Sequence, residues 1–181
     1  MTITLNVYGL TQQRSLTAIN AFVEEHCDRA VIEDLEDSAL MILRPDATDP
    51  DREESYDFLP VDSLSQAIAV GLEQPSWAFS LYLPAKDPTI DQVTVSFCRD
   101  RQLVLGLALP DTDTAPQQAQ AFLREWADCY DCRLGLIAVE ALPPLDTQDL
   151  ARVAQRSLLT LFVGPCRSHD PVNAEWPSVV P

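Results

Sequence analysis

The sequence predicts an α+β domain: a mostly antiparallel sheet of about six strands with about four helices packed on one face, in the order β-α-β-α-β-β-β-α-β-α. Three observations carry this. The stretches 77–83, 93–97 and 103–109 alternate apolar and other residues with no helical pattern between them, as successive antiparallel strands do. Stripes at helical spacing recur before and after them. The five glycines are scattered rather than gathered into a phosphate-binding loop, which argues against a nucleotide-binding α/β plan.

Taken in order, Ile3, Leu5 and Val7 alternate with Thr4, Asn6 and Tyr8 as a half-buried strand that Gly9 breaks. Leu16, Ile19, Phe22 and Val23 mark a helix from Thr11 to about Cys27. Ala39–Leu43 is a short apolar run and reads as a buried strand. Residues 45–60, PDATDPDREESYDFLP, are acidic and proline-rich without periodicity, so they read as a long exposed loop. Ser63 suits a helix N-cap, because its hydroxyl can accept from the first-turn N–H groups. Leu64, Ile68 and Leu72 form the stripe of that helix.

Trp77, Phe79, Leu81 and Leu83 mark the third strand. Val93, Val95 and Phe97 mark the fourth, and Leu103, Leu105, Leu107 and Leu109 the fifth. Residues 98–102 between the last two fit a hairpin turn. Thr114 reads as the cap of the next helix, with Pro116 early in its first turn, where a missing N–H costs nothing. Phe122, Leu123, Trp126 and Tyr130 form its buried face, with Trp126 expected against the 93–109 hairpin. Leu134–Val139 is a sixth strand, ended by Pro143 and Pro144. Leu150, Val153, Ala154, Leu158 and Leu161 form a last helical stripe. The domain is thus assigned to residues 1–163, and 164–181 to an irregular tail carrying Pro165, Pro171, Pro177 and Pro181.

Composition narrows the functions. The chain has 181 residues, 46% of them apolar, enough for one well-buried domain. No apolar run approaches the roughly 18 residues a membrane-spanning helix needs, and the first residues lack the basic-then-apolar pattern of a signal peptide. Five cysteines, an odd number without an export signal, point to reduced thiols in a cytoplasmic setting. A net charge of −16 repels nucleic acid and anionic membrane, and favours a protein partner with a basic surface.

The chemical motifs are few. His26 and His169 are the two histidines. His26 adjoins Cys27, but neighbours on a helix point about 100° apart, so the pair reads as a partly exposed histidine beside a thiol rather than a nucleophile and its base. Cys129-Tyr130-Asp131-Cys132 is a C-x-x-C at the end of a helix, where the dipole raises a thiol pKa instead of lowering it. With Cys166 and His169 the pair completes a Cys3His set of the kind that binds zinc, an alternative weighed against a fold that needs no metal staple. Glu140 and Asp146 could form an acid pair, although nothing singles them out. The expectation is therefore no cofactor and no enzyme.

The acidic stretch Asp28–Asp62 stands apart. It holds twelve acids against three arginines, more than half of the whole charge in 35 residues. Such a run is either a solvated face or a docking loop for a basic cleft. On the docking reading the contact residues are Asp46, Asp49, Asp51, Glu53, Glu54, Tyr56, Asp57 and Phe58, with Tyr56 and Phe58 as aromatic anchors. Calcium suits the stretch less well, because Asp46, Asp49 and Asp51 lack EF-hand spacing and its central glycine.

Residues 100–144, with RQLVLGLALP, a helix ending near Tyr130 and then GLIAVEALPP, carry Gly106, Gly135, Glu140 and Pro143. This segment resembles small acidic immunity proteins of bacterial interbacterial toxin systems. The resemblance covers about a quarter of the chain and brings no catalytic motif. It implies tight, stoichiometric neutralisation of a cognate toxin. Secretion or assembly chaperones, which are also small, acidic and α+β, are the alternative class of binding protein.

Overall fold

The computed structural model describes residues 3–11, 14–34, 39–43, 56–149 and 161–163. Among them are eight strands: β1 Thr4–Thr11, β2 Ala39–Leu43, β3 Tyr56–Pro60, β4 Ala78–Leu83, β5 Gln92–Phe97, β6 Leu103–Pro110, β7 Cys132–Val139 and β8 Leu161–Val163. They form one sheet in the order β3-β2-β4-β5-β6-β1-β7-β8, every neighbouring pair antiparallel. The helices are α1 Leu16–His26, α2 Arg29–Asp34, α3 Leu64–Glu73 and α4 Ala115–Cys129. The fold is α+β on an antiparallel sheet.

The β5–β6 hairpin matches the alternation that predicted it, with Val95 opposite Leu105 and Phe97 opposite Leu103. Its turn closes by Cys98 N–H donating to Gln102 O at 3.0 Å, and Arg101 takes the left-handed φ of 68° that the tight connection needs. Ser63 caps α3 as expected, its hydroxyl accepting from Gln66 N–H at 3.2 Å.

Several expectations are corrected. Gly9 does not break the first strand. It lies inside β1, opposite Gly135, and a Cβ there would sit 2.9 Å from both the Trp126 ring and Cys132 Sγ. The glycine lets an indole settle directly on the backbone. The expected loop over 45–60 ends in a strand, β3, because Tyr56-Asp57-Phe58-Leu59 pairs with β2. The helix from Thr11 starts only at Leu16, where Ser15 caps it, since 4–11 are held in the sheet. Thr114 makes no side-chain cap on α4. Of the last helical stripe, Leu161 lies in β8 instead, while 150–160 and the expected tail 164–181 fall outside the described residues.

One face of the sheet carries the main core. Leu5, Val7, Phe79, Val93, Val95, Phe97, Leu105 and Leu107 meet Ile19 and Phe22 of α1, Ala67 and Ile68 of α3, and Ala119, Leu123 and Trp126 of α4. Trp126 is fully buried, though over β1 and against Phe22 rather than on the β5–β6 hairpin. The opposite face holds a smaller cluster of Tyr8, Leu10, Cys98, Val104, Leu136 and Ala138. There the chain after β7 crosses back, and Tyr8 Oη donates to Ala141 O at 2.6 Å. Cys98 Sγ points at Pro144 O at 3.5 Å, and Arg99 N–H donates to Leu145 O at 2.9 Å.

Candidate functional site

The docking residues expected from the acidic stretch divide in two. Tyr56, Asp57 and Phe58 lie on β3, in register with Leu43, Ile42 and Met41 of β2. Asp46, Asp49, Asp51, Glu53 and Glu54 lie outside the described residues. β3 ends the strand order, and among the described residues no strand pairs with its other edge. An edge of this kind presents main-chain N–H and C=O groups in a row, to which an extended segment can add. The acidic residues precede this edge directly in the chain, so a basic segment approaching it would meet favourable charge.

Of the cysteine set, Cys129 and Cys132 are described. Cys129 is exposed at the end of α4 and Cys132, the first residue of β7, is buried beside Gly9 and Trp126. Burial pushes the Cys132 thiol up to about 12, with Asp131 adding to the shift. It also pushes Cys27 up to about 12, against the opposing pull of Arg29. These are apolar packing groups held as thiols. Cys166 and His169 lie outside the described residues. Among the described residues no three His, Cys, Asp or Glu side chains group as a metal would need. Of the proposed acid pair, Glu140 is exposed in a left-handed turn with φ 49°, and Asp146 accepts Asp149 N–H at 2.7 Å.

Two constellations escaped the sequence reading. Arg14, just before α1, gathers four carbonyls from the end of α3, the residue before β4 and the β5–β6 turn. Nη1 donates to Gly71 O and to Gln74 O at 3.0 Å, and Nη2 to Trp77 O at 2.7 Å and Cys98 O at 2.6 Å. The guanidinium also lies 5.3 Å from the centre of the Phe97 ring. A cation here satisfies the open carbonyls at the C-terminal end of α3 and ties them to β4 and the hairpin turn. Nothing in Gln13-Arg14-Ser15 signals this, since the acceptors are main-chain atoms more than fifty residues away.

The second lies at the α1–α4 seam. His26 was expected to be partly exposed, and it is only 7% exposed. Its ring packs edge-on against Phe22 at 4.8 Å, Phe122 at 5.9 Å and Trp126 at 6.2 Å between centroids. The turn that ends α1 puts it there, anchored by Lys86 N–H donating to His26 O at 2.8 Å. Glu25 beside it accepts from Tyr130 Oη, a residue 105 positions on, at 2.5 Å. Burial lowers the His26 pKa, opposed by Glu25, and burial with the Glu25 bond raises that of Tyr130.

No helix among the described residues is long and apolar enough to cross a membrane. No family of proteins matches this chain, and neither a curated protein nor a solved structure is similar enough to count as a relative.

Proposed function

We propose that this chain is a non-enzymatic protein-binding protein, an immunity-type inhibitor that neutralises a basic toxin docked along β3 and the acidic stretch before it. The observation that carries the reading is that Tyr56, Asp57 and Phe58 belong to the terminal strand of the sheet, directly after the acidic run Asp46–Glu54. Main-chain pairing at a sheet edge supplies affinity in such complexes, while charge supplies speed and selectivity. The resemblance of residues 100–144 to immunity proteins supports the same class.

Capture from the native cell followed by mass spectrometry identifies the partner, and stopped-flow kinetics then test the site. Replacing Asp49, Asp51, Glu53 and Glu54 together by their amides lowers the association rate and flattens its salt dependence. Tyr56→Ala and Phe58→Ala instead raise the dissociation rate, by roughly 30-fold each for anchors worth about 2 kcal/mol. Wild-type association by the fourfold variant at low salt would remove the acidic stretch from the interface.

A secretion or assembly chaperone is the second reading. It is favoured by exposed apolar side chains near one end of β1 and β7, where Ile3 is 47%, Val139 52% and Leu142 78% exposed. Chaperones of this kind dimerise through such surface, so a solution mass of two chains would turn the assignment that way.

A further inference from the structure

We propose that His26, Glu25 and Tyr130 form a proton-sensitive latch, in which uptake of one proton at His26 loosens the end of α1 from α4. The geometry behind it is a short polar path inside an aromatic seam. Glu25 uses one carboxylate oxygen to accept from Tyr130 Oη and holds the other 3.9 Å from His26 Nε2. Nε2 itself is buried and has no hydrogen-bond partner among the described residues, as is true of Nε1 of the neighbouring Trp126. At 3.9 Å the Glu25 carboxylate is too distant to hydrogen-bond Nε2.

A proton taken from solvent onto Nε2 places a cation among Phe22, Phe122 and Trp126, where Glu25 at 3.9 Å offsets its desolvation only in part until the carboxylate moves closer. That movement strains the bond from Tyr130, which ties the two helix ends together. Glu25 is the charged neighbour that acts on His26. From α4, Glu125 and the Cys129 thiol act on Tyr130 rather than on the ring. The segment after β4 contributes the main-chain N–H of Lys86, and from β7 the Cys132 thiol adjoins Trp126 at Gly9. No group among these offers His26 a second carboxylate.

Because the folded value lies below the ordinary 6.5, the unfolded chain binds the proton more readily. The stability from a neutral His26 is therefore complete above pH 6.5 and is lost as pH falls from there toward the folded pKa.

Imidazole NMR titration of the full chain tests the latch directly. With only two histidines, His169→Gln assigns both signals. His26 is expected to titrate below 6.5, and lower still in Glu25→Gln. Amide exchange, corrected for its intrinsic pH dependence, is expected to speed up at the last turns of α1 and α4 between pH 7.5 and 5. His26→Phe, which keeps a ring and cannot take the proton, should abolish that acceleration. Titration of His26 at or above 6.5, no downward shift in Glu25→Gln, or the same acid acceleration in His26→Phe would each overturn the proposal. The first two readouts stand even if the phenylalanine variant fails to fold.

Discussion

The two faces of the sheet bury side chains by different means. Under α1, α3 and α4 the contacts are apolar and dense, from Phe22 and Trp126 through Phe97 to Leu105 and Leu107. On the opposite face polar groups are interleaved with the cluster: Ser80 and Ser96 hydroxyls meet at 2.5 Å, and Asn6 Nδ2 reaches both Tyr8 Oη and Ala141 O at 3.1 Å. Ser96 and Thr94 are as deeply buried as the leucines beside them. The difference teaches how each face should fail. Damage to the helix-backed face costs cavity and clash energy, while damage to the other costs individual hydrogen bonds, each worth less.

The largest expected effect is Trp126→Ala. It empties the space over Gly9 and beside Phe22, and should destabilise by about 3–5 kcal/mol in denaturant melts, enough to threaten a typical domain. A loss below about 1 kcal/mol would mean that the helix-backed face tolerates cavities, and the contrast between the faces would collapse.

Gly71→Ala probes the same face by overpacking. A Cβ on α3 there would lie 2.4 Å from the Phe97 ring, itself held by Phe79 and Arg14. The expected loss is about 1–3 kcal/mol, against the gain of up to about 1 kcal/mol that alanine ordinarily brings to a helix. Unchanged or raised stability would show that Phe97 can give way.

Tyr8→Phe tests the polar face and should cost least, about 0.5–1.5 kcal/mol. Ala141 O keeps its bond from Asn6, so no carbonyl is stranded. Thermal melts of the three variants side by side should preserve the order tryptophan, glycine, tyrosine. A tyrosine variant as damaging as Trp126→Ala would make the crossing of the chain after β7 a principal support of the fold.

Much of this architecture was written locally. Alternation located β1, β4, β5 and β6, and helical spacing located α3 and α4, because the period of burial reports which residues seek the core. The hairpin followed because its partners are adjacent in sequence. The acidic stretch was equally plain, but its division into a leading run and an edge strand was not. Tyr56-Asp57-Phe58-Leu59 has little strand periodicity of its own and becomes β3 through pairing with β2.

The sequence by itself therefore determined the class of the fold, the order of its central elements and the sign of its charge. Tertiary structure decided the rest. It chose whether Gly9 ends a strand or makes room for Trp126, since a missing Cβ serves either purpose until its neighbours are known. It brought Arg14 to carbonyls of α3, of the residue before β4 and of the β5–β6 turn, and Tyr130 to Glu25 across 105 residues. Those meetings depend on how whole elements stack, and no local pattern encodes which side chain will find an acceptor once they do.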